Sequence, residues 1–100
     1  MKVVIDQYIP FLAEALQAQG VEVLALAPEA ITHESVAEAE ALFVRTRTRV
    51  DSALLEGTRV RFVATATIGT DHLDIPYLER QGVAWASAPG CNAQAVCDYV

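Results

Sequence analysis

The sequence lacks any long apolar run, although 53% of its 100 residues are hydrophobic. A membrane span needs about 20 consecutive apolar residues, and the longest run here, residues 23–27, stops at Pro28. The apolar residues between Lys2 and Asp6 are too few for the core of a signal peptide. Charged residues make up 20% of the chain, and this composition excludes a disordered segment. We therefore expect a folded, cytoplasmic protein without membrane contact.

Cysteine and histidine are also scarce, with two of each. Cys91 and Cys97 are too few for a disulfide framework, and helical spacing would place them on different faces, so we expect two reduced thiols. His33 and His72 have no cysteine or histidine at the spacing of metal ligands, which argues against a metal site. Neither a G-x-G-x-x-G motif nor a Walker A loop is present, so we predict no cofactor-binding residue in this stretch.

Negative charge dominates, and the formal net charge of −6 argues against a general nucleic-acid binder. The charge is unevenly distributed. Residues 45–61 hold five arginines against Asp51 and Glu56, for a net charge of +3, whereas the rest of the chain carries −9. An acidic protein that concentrates arginines in one stretch has the charge pattern of a small-anion site. A solvated basic face has the same composition, so both interpretations stay open.

Short, continuous apolar segments recur along the chain at intervals of about 20 residues. They are residues 3–5, 21–26, 41–44, 60–66 and 83–86. Because apolar residues follow one another without alternation, these segments are typical of strands covered on both faces.

Helical patterns lie between these segments, and most begin at a capping residue and end at a glycine. Four helices are predicted: 8–19, ended by Gly20; from Thr32 through Ala41; from Asp51 to Gly57; and from Asp74 to Gly82, with Pro76 in its first turn. Strands that alternate with helices form a parallel sheet with right-handed crossovers. We therefore expect an α/β fold, a flavodoxin-like doubly wound parallel sheet with strand order 2-1-3-4-5.

The last segment differs from the others because nothing in it ends a helix. Residues 88–92 are typical of a turn and a helix start, with Asn92 as a simple N-cap. Residues 93–100 continue as a helical pattern without glycine, proline or a polar cluster. We therefore expect these 100 residues to be a fragment of a longer protein.

Ligands of an open parallel sheet bind outside the carboxyl ends of the strands, near the point where the strand order reverses. This rule selects residues 6–8, 45–49 and 65–71. In the third loop, backbone N–H groups can converge on an anion, Gly69 allows close approach, and Thr67 and Thr70 add hydroxyl donors. Threonines also favour strand ends and glycine marks many turns, so a purely structural interpretation stays open.

Arginine and threonine alternate through residues 45–49. If this loop is extended, one face carries three guanidinium groups and the other carries the hydroxyls of Thr46 and Thr48. Guanidinium groups pair with carboxylate or phosphate in a bidentate way. The alternative is a solvated strand exit.

His72 lies in the sequence Asp71-His72-Leu73-Asp74, where its acidic neighbours suggest a catalytic pair. No nucleophile is placed beside it, so we expect a turn or capping role and predict no catalytic residue in this stretch. Asp6 stands alone after the first strand, and no aspartate follows the third strand. These two absences exclude the phosphorylated receiver domains that share this fold.

Three motifs occur in order, at residues 43–50 (FVRTRTRV), 62–74 (FVATATIGTDHLD) and 88–93 (APGCNA). The opening residues 1–6 and the Ile9-Pro10 pair fit the same pattern. Together these segments resemble the D-2-hydroxyacid dehydrogenase family, and the resemblance covers essentially the whole chain.

The resemblance implies that this stretch is the N-terminal part of a substrate-binding domain. A Rossmann domain that binds NAD would follow, entered through the helix near Asn92. Substrate contacts would fall on Thr46 and Thr67, with Arg45 and the backbone around Gly69 as weaker candidates for holding a carboxylate or phosphate. The family's catalytic arginine, glutamate and histidine, and its dinucleotide loop, would belong to sequence absent here.

The resemblance further implies that the full-length protein oxidises a small, anionic, phosphorylated 2-hydroxy acid with NAD, commonly as a homodimer. The 100 residues alone would be inactive. Which acid is oxidised stays open. A second class of function also stays open, namely a stand-alone small-anion binding module without catalysis.

Overall fold

The computed structural model describes residues 2–9, 12–66 and 69–87. Its centre is a five-stranded parallel sheet made of β1 (Lys2–Asp6), β2 (Glu22–Leu26), β3 (Ala41–Val44), β4 (Phe62–Thr65) and β5 (Ala84–Ser87). The strands lie in the order β2-β1-β3-β4-β5. The predicted α/β class, the five strand segments and their order are confirmed.

Helices connect the strands, and three of them begin at the capping residues predicted from the sequence. They are α1 (Leu12–Ala18), α2 (His33–Val36), α3 (Ser52–Leu55) and α4 (Ile75–Arg80). The side chains of Thr32, Asp51 and Asp74 each accept a hydrogen bond from the main-chain N–H three residues further on, at 3.2–3.4 Å. Gly20 and Gly82, which follow α1 and α4, have φ of +81° and +70°, a left-handed backbone that other residues rarely adopt.

Successive side chains of each central strand point to opposite faces of the sheet, and helices cover both faces. Leu12 and Leu16 of α1 pack on one face, together with Val3 and Ile5 of β1. Val4 points to the other face, where α2, α3 and α4 pack. Each fully buried aliphatic side chain of this kind stabilises the fold by roughly 1.5–3 kcal/mol. This arrangement is the doubly wound layering that the sequence predicts.

The second strand departs from the expectation that every strand is covered on both faces. β2 lies at the end of the sheet and pairs with β1 along one side. Its residues Glu22, Leu24 and Ala25 are exposed, with Leu24 at 39%. The sequence therefore identified this strand and its place in the strand order correctly, whereas the expectation that both of its faces are covered is wrong.

Helix α2 is shorter than predicted, since it ends at Val36 and does not reach Ala41. The main-chain N–H of Glu40 donates to the oxygen of Lys2 at 2.8 Å, so the chain has already joined the sheet at that point. Strand pairing thus overrides the helical propensity of the alanine-rich segment.

Helix α1 begins at Leu12, later than the residue 8 predicted from its apolar stripe. Tyr8 and Ile9 instead form a turn after β1, in which the N–H of Ile9 donates to the oxygen of Asp6 at 3.1 Å. Residues 10 and 11 lie outside the described part of the chain.

The predicted turn at residues 88–92 and helix at residues 93–100, with both cysteines, also lie outside the described residues. Within 2–9, 12–66 and 69–87, no helix is long and apolar enough to cross a membrane. The same residues contain no group of three or more histidine, cysteine, aspartate or glutamate side chains placed to hold a metal ion.

Candidate anion-binding site

The carboxyl ends of β1, β3 and β4 lie side by side because these strands are neighbours in the sheet. The chain leaves β1 for β2 on one side and then crosses to β3 on the other, so the strand order reverses between β1 and β3. Loops that leave a parallel sheet at such a point form the crevice in which ligands bind. Residues 6–8, 45–49 and 65–71 follow these three strands, so the sheet brings the three predicted loops to one edge.

Asp6 ends β1 and is fully buried. Its Oδ1 accepts a hydrogen bond from the main-chain N–H of Tyr8 at 2.8 Å, which shapes the turn after the strand. Its Oδ2 is buried and has no hydrogen-bond partner among the described residues. A buried carboxylate oxygen that accepts no hydrogen bond costs free energy. This edge of the sheet therefore contains a buried polar atom that lacks a donor among the described residues.

Residues 45–49 form a turn, so the extended conformation that would give this loop two opposite faces is not adopted. The main-chain N–H of Thr48 donates to the oxygen of Arg45 at 3.3 Å, which closes the turn. Thr46 is exposed, whereas Thr48 is buried and its Oγ1 has no hydrogen-bond partner within the described part of the chain. The two hydroxyls therefore do not share a face.

The arginine-rich stretch is divided between opposite edges of the sheet. Arg45, Arg47 and Arg49 follow β3 at the carboxyl edge, whereas Arg59 and Arg61 precede β4 at the amino edge. A four-residue strand spans roughly 13 Å, so residues 45–61 do not form a single basic patch. The two arginines at the amino edge line an open cleft together with two glutamates.

The three arginines at the carboxyl edge are all exposed, and they differ in their charged neighbours. The Nε atom of Arg49 lies 3.1 Å from Oδ2 of Asp51. Arg45 and Arg47 form no ion pair with any residue that the structure describes. Two guanidinium groups at this edge are thus free to pair with an anionic ligand.

The loop after β4 is closed by a side-chain hydrogen bond. Oγ1 of Thr65, the last residue of β4, lies 2.9 Å from Nε2 of His72, and both side chains are buried. Gly69 is exposed, and an added Cβ there would meet no atom of the other described residues within 4 Å. Packing against the described residues therefore does not require glycine at this position.

The loops after β3 and β4 are joined to each other at their far ends. Val50 and Leu73 form an isolated parallel bridge. The N–H of Val50 donates to the oxygen of His72, and the N–H of Asp74 donates to the oxygen of Val50, both at 2.8 Å. Because these bonds connect the two loops, the position of one depends on the position of the other.

His72 occupies a turn, and its imidazole is buried. Burial lowers the pKa of His72 below its usual value, and the nearby Asp71 carboxylate opposes this effect. The lowered pKa favours the neutral form of the imidazole. His33 lies elsewhere, in α2, where its Nε2 is 2.7 Å from the main-chain oxygen of Glu56.

Of the four residues predicted to contact substrate, the structure describes three. Arg45 and Thr46 are exposed in the turn after β3, and Gly69 is exposed in the loop after β4. All three lie at the carboxyl edge of neighbouring strands. Thr67 lies outside the described residues.

Comparison with known proteins gives this geometry a family context. The model of the family described as D-isomer specific 2-hydroxyacid dehydrogenase, catalytic domain, matches residues 2–100. This chain belongs to the D-2-hydroxyacid dehydrogenase family. The resemblance inferred from the three sequence motifs is confirmed.

Relatives within the family match the chain along its whole length. It is 56% identical to an erythronate-4-phosphate dehydrogenase from Azotobacter vinelandii and 46% identical to one from Bacteroides fragilis. In both comparisons the match includes 100% of this chain, but it covers 26% and 29% of those proteins. The chain thus spans about a quarter of the length of the curated relatives that it matches.

Solved structures of other proteins share this fold. The TT0316 protein from Thermus thermophilus matches 99% of this chain and 34% of its own, with a TM-score of 0.78 and 23% identity. A D-lactate dehydrogenase from Aquifex aeolicus, solved with NAD and lactic acid, matches 97% of this chain and 31% of its own, with a TM-score of 0.71 and 20% identity. At these identities the likeness concerns the fold alone.

The described part of this family member contains no loop of the kind that binds a dinucleotide. Dinucleotides bind where a G-x-G-x-x-G loop opens a helix, and no described loop contains more than one glycine. The exposed groups described at the carboxyl edge include the guanidinium groups of Arg45 and Arg47 and the hydroxyl of Thr46, which are types of group that pair with anions.

Sequence reasoning missed the contacts that join the loops of this family member. Neither the bridge between Val50 and Leu73 nor the bond between Thr65 and His72 was predicted. Val50 and Leu73 are single apolar residues within polar segments, and both are buried. An isolated apolar residue belongs to no periodic pattern. The only sequence signal for its burial was that it is apolar while the residues around it are polar.

Proposed function

We propose that residues 1–100 are the N-terminal part of the substrate-binding domain of an NAD-dependent dehydrogenase that oxidises 4-phospho-D-erythronate at its 2-hydroxyl group. Whole-chain identities of 56% and 46% to proteins named erythronate-4-phosphate dehydrogenase support this proposal. The activity belongs to pyridoxal 5′-phosphate biosynthesis. The NAD-binding Rossmann domain and the catalytic arginine, glutamate and histidine would lie beyond these 100 residues.

In this proposal the carboxyl edge of the sheet binds and orients the anionic substrate. The hydroxyls of Thr46 and Thr67 donate to its carboxylate or phosphate, the guanidinium of Arg45 pairs with the same groups, and a backbone N–H near Gly69 adds a further donor. The observation that carries the proposal is the free guanidinium of Arg45 beside the exposed Thr46 at the strand-order reversal. A hydrogen bond to a charged group contributes about 1.5–3 kcal/mol, and correct orientation contributes further to the rate.

We also propose that the longer protein is a cytoplasmic homodimer that binds neither nucleic acid nor membranes. The net charge of −6 on this chain supports the absence of nucleic-acid binding. Light scattering on the purified complete protein tests the oligomeric state, and a mass of one protomer would contradict the dimer.

A substrate panel tests the proposed reaction. We expect the complete protein with NAD to show a higher kcat/KM for 4-phospho-D-erythronate than for 3-phosphoglycerate. The reverse order would identify a 3-phosphoglycerate dehydrogenase instead. Calorimetric binding of 4-phospho-D-erythronate without any NADH production would indicate a small-anion binding module.

Two substitutions at one position test the role of Thr46. Thr46→Ala removes the hydroxyl, so we expect kcat/KM for 4-phospho-D-erythronate to fall about tenfold or more, since one bond to a charged group is lost. Thr46→Ser keeps the hydroxyl and should retain activity within about threefold, or about 0.6 kcal/mol. Equal loss in both variants would show that the methyl group matters and the hydroxyl does not.

The intact mass of the protein isolated from its source cells tests the domain assignment. We expect a mass several times the 10.8 kDa of these 100 residues. A mass of 10.8 kDa would leave no residues for hydride transfer and would favour the binding module.

A further inference from the structure

We propose that His72 is a positioning residue that holds both loops of the anion-binding site in place. Its side chain closes the loop after β4, and its main-chain oxygen fixes the end of the loop after β3. The substrate-binding consequence rests on the proposed function, whereas the coupling of the two loops does not.

The side chain of His72 connects the two ends of one loop. Nε2 lies 2.9 Å from Oγ1 of Thr65, and residues 66–71 lie between the two partners. Thr65 is fully buried and His72 is 9% exposed, so the bond is largely shielded from water. A hydrogen bond in a low-dielectric environment is stronger than one at the surface. The bond therefore holds Thr65 and His72, which lie on either side of Gly69, close together.

The main chain of His72 fixes the other loop. Its oxygen accepts the N–H of Val50, whose own oxygen accepts the N–H of Asp74. Val50 is fully buried, so the two bonds are reinforced by packing. Residues 45–49 are then held at one end by β3 and at the other by this bridge. Arg45 and Thr46 consequently lie in a loop whose far end depends on residue 72.

In this arrangement, His72 is not positioned to act as a general acid or base. Its Nε2 already bonds to Thr65, and its ring is buried. A neutral imidazole carries one donor and one acceptor nitrogen, so it can bond to a hydroxyl in either direction. Glutamine also presents a donor and an acceptor at a similar distance from the backbone. His72→Gln should therefore retain the bond, whereas His72→Leu keeps the apolar volume and removes it.

Steady-state kinetics of the complete protein with 4-phospho-D-erythronate separate positioning from chemistry. We expect His72→Leu to raise KM about tenfold with kcat within about twofold, because the loops bind substrate but supply no reacting group. His72→Gln should restore KM to within about threefold of the parent. His33→Leu, which removes the other histidine from a place away from this edge, is the matched control and should leave KM unchanged. Equal KM values in His72→Leu and His33→Leu would overturn the proposal.

Hydrogen–deuterium exchange of the same variants without substrate tests the coupling independently of the reaction. We expect His72→Leu to increase exchange in both residues 45–50 and residues 65–74, while His72→Gln and His33→Leu do not. Faster exchange confined to residues 65–74 would contradict the coupling. If the parent protein turns over no 2-hydroxy acid, the proposed function fails and this exchange pattern still decides the role of His72. If His72→Leu does not fold, Thr65→Val removes the same bond and takes its place in both measurements.

Discussion

The two edges of the sheet carry arginines from the same short stretch of sequence, but the surroundings of these arginines differ. None of Arg45, Arg47, Arg59 and Arg61 has an ion pair among the described residues. Arg45 and Arg47 lie at the carboxyl edge, after β3, where the strand order reverses. At the amino edge, Arg59 and Arg61 share their cleft with Glu38 and Glu40. Arginine content alone therefore does not locate a binding site, because the charges and topology around each guanidinium decide what it can bind.

Replacing one arginine at each edge tests this comparison, and we expect it to produce the largest change in kcat/KM. Arg45→Ala should lower kcat/KM for 4-phospho-D-erythronate by about 30- to 100-fold, because a charge-assisted bond worth about 2–3 kcal/mol is lost. Arg59→Ala removes the same group from the other edge and should stay within about twofold of the parent. The comparison would be wrong if the two variants lost activity equally.

The two buried threonines near the carboxyl edge provide a second test, with a smaller effect. Thr65→Val removes the bond to His72 and should lower the free energy of unfolding by about 1–2 kcal/mol. Thr48→Val removes a buried hydroxyl that has no partner among the described residues, so it should be neutral or slightly stabilising. Calorimetric melting of the complete protein measures both.

A loss of stability in Thr48→Val equal to that in Thr65→Val would contradict this account. It would show that Oγ1 of Thr48 forms a hydrogen bond to a partner other than the described residues. A rise in KM in Thr48→Val without loss of stability would instead place this hydroxyl in the substrate site.

The pH dependence of stability should be the smallest effect. Because burial lowers the pKa of His72, the unfolded chain binds its proton more readily than the folded chain does. The contribution of His72 to the free energy of unfolding is therefore fully present above about pH 6.5, the ordinary pKa of histidine. It is lost as the pH falls through the lowered pKa of the folded state. His72→Gln keeps a hydrogen-bonding side chain without this titration and should show a weaker decline between about pH 7 and pH 5 in calorimetric melting. If stability declines equally in His72→Gln and in the parent, groups other than His72 cause the decline.

Much of the fold was accessible from sequence because it depends on local signals. Continuous apolar segments marked the strands, and Thr32, Asp51 and Asp74 marked three helix starts. The end of α2 was not predicted, because pairing between Glu40 and Lys2 joins residues distant in sequence. Local patterns predict elements well and their ends poorly, since tertiary contacts determine where an element stops.

The candidate site was predictable in position but not in detail. The rule for parallel sheets, applied to the inferred strand order, selected three loops that the structure brings to one edge of the sheet. The conformation of residues 45–49 was not predicted, because arginine and threonine are not among the residues that mark a turn, although the N–H of Thr48 donates to the oxygen of Arg45 and closes one. The arginines are divided between two edges because β3 and β4 are parallel, so residues 45–61 carry the chain through α3 from the carboxyl end of one strand to the amino end of the next.

The most direct test of the central claim is hydrogen–deuterium exchange of the complete protein with and without saturating 4-phospho-D-erythronate. Binding at the carboxyl edge should slow exchange in residues 45–50 and 65–74 and leave residues 56–61, at the amino edge, unchanged. Protection of residues 56–61, or of neither edge while substrate is bound, would contradict the assignment of the anion site to the carboxyl ends of β1, β3 and β4.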